Sequence, residues 1–118
     1  MFLERLNAVS QRIEGAVAVS LVAGDGMAVE SVSSSPDLDL ETIAAEIVSM
    51  ARSIAKEQRE LSVGDLHQFT VAGDAMVFLL SRIGKEYWLL AVLRPDASLG
   101  RARFELKRAS LWFESDLE

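Results

Sequence analysis

The sequence predicts an α+β fold, an α/β sandwich in which five largely antiparallel strands carry helices on their faces. Three observations predict it. Apolar residues recur at three- and four-residue steps in three segments, the period of an amphipathic helix. Five short segments are rich in Val, Leu, Ile and aromatic residues, as strands are. Gly and Asp punctuate neighbouring strands so closely that only tight hairpins fit, and tight hairpins join antiparallel neighbours. The predicted order is helix, two strands, long helix, three strands, helix (α-β-β-α-β-β-β-α).

The first helix is predicted from Met1 to about Glu14, where Phe2, Leu6, Val9 and Ile13 fall on one face. Gly15 follows as a stop. Residues Ala16 to Ala23 read as a buried strand, and Met27 to Val32 as its hairpin partner. Between them lies Gly24-Asp25-Gly26. It joins strand to strand, whereas a phosphate cradle leads from a strand into a helix, so it is a turn and not a nucleotide fingerprint.

Asp37 or Asp39 can cap the next helix by accepting from its free N–H groups. That helix is predicted from about Leu38 to Glu60. Leu40, Ile43, Ala44, Ile47, Ala51, Ile54 and Ala55 form a stripe expected to pack on the sheet. On the opposite side Ala45, Ser49 and Ser53 stand four residues apart, flanked by charges. Two readings stay open for this side. It is an ordinary solvated face, or its small residues let another helix approach closely.

Three strands follow: Leu66 to Ala72, Ala75 to Ile83 and Glu86 to Leu93, with turns at Gly73-Asp74 and Gly84-Lys85. Ser98 is placed to cap a final helix from Leu99 to about Glu114, with Leu99, Ala102, Leu106, Ala109 and Phe113 on its apolar face. Phe104, Leu111 and Trp112 fall largely off that stripe. They either wrap around the sheet edge or form an exposed patch, which would mark a contact surface if contiguous.

The 118 residues fit one domain, because single domains commonly hold ~100–150 residues. There is no cysteine, which removes disulfides, thiolate metal sites and thiol nucleophiles and fits a reducing cytoplasm. The start, Met1-Phe2-Leu3-Glu4-Arg5-Leu6, lacks the basic-then-apolar order of a secretory signal. No apolar run approaches the ~20 residues of a membrane span, so no membrane insertion is expected. A net charge of −6 makes nucleic acid a poor partner. The one local exception is Arg101, Arg103, Lys107 and Arg108. This basic patch is either a solvated helix face or a docking site for an acidic protein surface.

Residues for catalysis are scarce. His67 is the only histidine, so a multi-histidine zinc site is excluded. No G-x-S-x-G elbow supports a serine triad around it. The P-loop sequence is absent, and so is the spaced carboxylate loop of a calcium site. Asp25 and Asp74 sit in predicted turns, and Asp37, Asp39 and Glu41 at a helix start, where backbone capping accounts for them. The chain is therefore read as non-enzymatic, with no cofactor and no metal.

Four stretches together resemble the Roadblock family, named for dynein light chains and including MglB-like proteins. They are Gly15–Val22 with Gly24–Ser31, Asp39–Glu46, Trp88–Leu93 and Ala97–Leu106. The resemblance covers nearly the whole chain, residues 1–118 as one Roadblock-like domain. It implies a five-stranded antiparallel sheet with the long helix on one face and the terminal helices on the other. It also implies a homodimer through a sheet edge and the long helices. Carried onto this sequence, that interface is Ala45, Ser49, Arg52, Ser53, Leu66, Gln68 and Thr70. The flanking charges Glu46, Lys56 and Glu60 are the expected partner-binding residues. The implied function is a non-catalytic regulator or scaffold of a small Ras-like GTPase in a bacterial or archaeal cytoplasm. Two alternatives remain: a small-ligand sensory module, and a general scaffold without a GTPase partner.

Overall fold

The computed structural model describes residues 2–117, apart from the Arg59 side chain. Its elements are α1 (Leu3–Arg12), β1 (Ala16–Ala23), β2 (Ala28–Ser33), α2 (Leu40–Leu61), β3 (Gln68–Ala72), β4 (Val77–Ile83), β5 (Tyr87–Leu93) and α3 (Leu99–Leu117). The strands form one antiparallel sheet in the order β2-β1-β5-β4-β3. The predicted class and element order are those observed. The helices divide as the resemblance implied, with α1 and α3 on one face and α2 on the other.

Local chemistry sets the element ends. The predicted first helix begins at Met1, outside the described residues, and ends at Arg12 instead of Glu14. Ile13 is already extended, and Gly15 has φ +92°. A Cβ on Gly15 would come within 2.7 Å of the Ala97 Cβ, so the chain passes here only without a side chain. At the start of α2, Asp39 is the cap. One of its oxygens accepts from the Thr42 N–H at 3.2 Å and the other from the Thr42 hydroxyl at 2.7 Å. The Thr42 hydroxyl, with its backbone N–H second, holds the Asp39 carboxyl below the usual carboxylate range. β3 starts at Gln68 instead of Leu66, because the chain is still turning through Ser62 (φ 56°) and Gly64 (φ 87°). The last helix continues to Leu117, past the predicted end.

Alternation along the central strands sends neighbours to opposite faces. Leu79, Leu89, Ala91 and Leu93 meet α1 and α3, where Leu6, Val9, Leu106 and Phe113 complete one core. Leu80, Trp88, Leu90 and Val92 meet α2, where Ala44, Ile47, Val48 and Ala51 complete the other. Phe113 is fully buried, its ring 5.8 Å from that of Phe2.

One buried polar group interrupts the first core. The Ser110 hydroxyl lies 2.8 Å from that of Ser81 and also donates to the Leu106 carbonyl at 2.9 Å. The Gln68 amide adds a contact to the Ser81 hydroxyl at 3.4 Å and to the Arg103 carbonyl at 3.2 Å. Among the described residues no helix is long and apolar enough to cross a membrane.

Candidate functional site

The surface singled out from the sequence combines β3 with the outer side of α2. β3 is a sheet edge, since its only described strand neighbour is β4. Its polarity follows from the ladder. The Arg82 N–H donates to the His67 carbonyl at 2.8 Å, and the Gly73 N–H donates to the Met76 carbonyl at 3.0 Å. Hydrogen-bonded pairs alternate along an antiparallel ladder. In the observed register, Phe69 opposite Leu80 and Val71 opposite Phe78 therefore also bond inward to β4. Gln68, Thr70 and Ala72 turn their N–H and C=O groups outward, a ready template for another strand.

The side chains of the same strand divide differently. Phe69 and Val71 lie on the α2 side, half-buried, as do Leu66 and Phe78. Gln68 and Thr70 point to the other side, toward α3. The Arg103 guanidinium lies 3.4 Å from the Thr70 hydroxyl, and the Gln68 amide reaches Ser81 and the Arg103 carbonyl. Gln68 and Thr70 thus offer the edge their backbone, and their side chains belong to the opposite face from α2.

On α2, Ser49, Ser53, Lys56 and Glu60 are exposed and follow one outermost line at helical spacing. Ala45 and Arg52 are also exposed, on the flank toward the β1–β2 turn. There Gly26 has φ +94°, and a Cβ on it would sit 3.2 Å from the Ala45 Cα. Part of the reason Ala45 is small is thus this close approach of the turn. Glu46 is exposed on the other flank. The ten residues named from sequence therefore divide between an outer line and two flanks of α2, Gln68 and Thr70 of β3, whose side chains face away, and Leu66, which precedes the strand and packs half-buried on the α2 side.

Sequence reading passed over several apolar residues near this surface. Met50, Leu61 and Val63 are exposed, at 46%, 66% and 65%. Met50 and Leu61 fall at helical spacing with Ile54, on the border of the predicted stripe, so the signal was an apolar arc wider than one sheet-facing stripe needs. His67 lies elsewhere. It is exposed on the wall of an open groove of about 830 Å³, shared with Asp65, Tyr87, Lys107 and Leu111. Among the described residues no group of three or more His, Asp or Glu is placed to hold a metal ion.

No protein-family model matches the sequence, and no curated protein matches it. Solved structures do match in shape. A Roadblock/LC7 domain from Streptomyces avermitilis superposes with a TM-score of 0.85 at 18% identity, over 95% of this chain and 93% of that one. The gliding protein MglB from Thermus thermophilus gives a TM-score of 0.86 at 21% identity, over 96% and 85%. An MglB with a tetrameric arrangement gives 0.87 at 20% identity, over 96% and 85%. Strand order, helix placement and these superpositions agree: the chain has the fold of the Roadblock/LC7 domains.

Proposed function

We propose that this chain is a non-catalytic protein that pairs with a second copy of itself and, as a pair, regulates or scaffolds a small Ras-like GTPase in the cytoplasm. The observation that carries the pairing is the β3 edge. Its outward backbone groups lie next to Phe69, Val71 and Phe78, which α2 leaves half-buried. A second β3, antiparallel across a twofold axis, would satisfy the outward groups and let the α2 helices cover those side chains. The tetrameric MglB of similar fold supports self-association.

The GTPase partner rests on the resemblance to the Roadblock family. The surface offered to it is the outer line of α2, with Lys56 and Glu60 on it and Glu46 beside it. Light scattering at micromolar concentration tests the pairing, and a monomer there would end it. Capture of nucleotide-loaded Ras-like GTPases, with turnover measured alongside, tests the partner. Charge reversal at Glu46 or Lys56 is expected to weaken capture. Equal capture by both variants and the parent would remove these residues from the site.

A further inference from the structure

The exposed side of α3 is mostly basic and apolar, in a chain of net charge −6. From Gly100 to Ser115 its exposed residues are Gly, Ser, Arg, Lys, Phe, Leu and Trp; the one exposed acid described on α3 is Asp116 in the last turn, which is ion-paired with Arg5. The acids of that stretch are withdrawn: Glu105 is buried beside Arg108, 3.7 Å away, and Glu114 is half-buried. Three large apolar side chains stand among the cations, Phe104 at 59% exposure, Leu111 at 57% and Trp112 at 45%. Phe104 and Leu111 are two turns apart on one line, with Lys107 and Arg108 between them. The Arg108 guanidinium is 5.9 Å from the Phe104 ring, and the Arg5 guanidinium is 4.0 Å from that of Trp112. Leu111 and Lys107 also border the groove of about 830 Å³ beside the helix, where Asp65, Glu86 and Glu114 line it too, so the groove offers room but the basic charge lies on α3 itself.

We propose that this face of α3 docks an acidic amphipathic helix of another protein. The argument is charge complementarity joined to spacing. A partner helix with apolar residues one to two turns apart can seat them on Phe104 and Leu111, and its flanking Glu and Asp then meet Arg101, Lys107 and Arg108. Burying apolar surface supplies affinity, while the charges select the partner and speed encounter. An anionic bilayer fits less well. A flat surface resting on α3 also meets α1 in the same layer, and α1 exposes Leu3, Glu4, Asn7, Ala8, Gln11 and Arg12, one acid against one base, so it adds no net positive charge.

This face lies across the sheet from α2, so the proposal extends the pairing model without depending on it. A dimer formed through β3 would carry two such faces.

The test is selection of phage-displayed helical peptides, randomised in charge, on the full chain. Acidic sequences with apolar residues at helical spacing are expected to win. Their binding should fall about tenfold on Lys107→Glu and on Phe104→Ser, and should weaken as salt screens the charges. Both positions are exposed, so circular dichroism should show the variants folded, and light scattering should show their oligomeric state unchanged. No enrichment, a neutral or basic consensus, or equal binding by the variants would overturn the proposal. Binding of the parent but not the variants to phosphatidylserine vesicles, without peptide enrichment, would assign the face to lipid instead. A drop in oligomeric state in either variant would assign it to self-association.

Discussion

The two faces of the sheet are closed to different degrees. Two helices seal the side of α1 and α3, where Leu6, Leu79, Leu106 and Phe113 are fully buried. A single helix crosses the other side. It seals Leu80, Leu90 and Val92 in the middle but leaves Leu66, Phe69, Val71 and Phe78 half-buried toward β3. One helix, about 10–12 Å wide, cannot cover strands spaced about 4.8 Å apart across such a sheet. Half-buried apolar residues also lie elsewhere, Val17, Leu38 and Leu40 among them, but only toward β3 do they accompany Phe69 and Phe78, two large rings on adjacent strands. Those rings stand at the edge where Gln68, Thr70 and Ala72 turn their backbone groups away from β4.

The largest effect should come from the sealed side. Phe113→Ala removes a fully buried ring and should cost about 3–5 kcal/mol in denaturant unfolding, without changing the size of whatever stays folded. A smaller loss would mean that this side is looser than its burial indicates.

Next comes Thr70→Pro on the open side. The Thr70 N–H points away from β4, so proline spares the existing ladder and removes only an outward donor. Light scattering should show the pair dissociating, with self-affinity down about tenfold or more and unfolding shifted by less than about 1 kcal/mol. An unchanged oligomer would place pairing elsewhere.

Ser110→Ala should cost about 1 kcal/mol, and adding Ser81→Ala should recover part of it, because removing both partners leaves less unsatisfied. A double-mutant cycle measures the recovery.

The smallest effect should be that of Asp39→Ala, a modest fall in Tm that Asp39→Ser largely restores. The folded carboxyl sits below its unfolded value, so its contribution is full above the unfolded value and disappears as pH falls through the folded one. The Tm difference between parent and Asp39→Ala should therefore shrink on acidification. A difference that persists in acid would assign the cap another source.

Much of this architecture was legible in the sequence, because the dominant signals are local. The α3 stripe of Ala102, Leu106, Ala109 and Phe113 is buried as its spacing predicted, and Gly24-Asp25-Gly26 forms the hairpin turn. Ala45, Ser49 and Ser53 are exposed, as their position opposite the stripe predicted. What escaped was long-range. Alternation separates Gln68 and Thr70 from Phe69 and Val71, but only the packed helices decide which set faces α3. Val48 is buried although it lay outside the predicted stripe, because Gly26 brings the β1–β2 turn over that flank of α2. Phe104, Leu111 and Trp112, left open from spacing, are exposed, and Trp112 meets α1 through Arg5.

The contact between Ser110 and Ser81 has a consequence for alignment. Apolar surfaces attract without fixed direction, so a helix on a smooth sheet can slip along it at little penalty. A buried hydroxyl pair tolerates one longitudinal setting and penalises the rest. Because Gln68 joins the same pair from the border strand, α3 and β3 share a common index mark. A shift imposed on either would be felt by the other through three polar side chains.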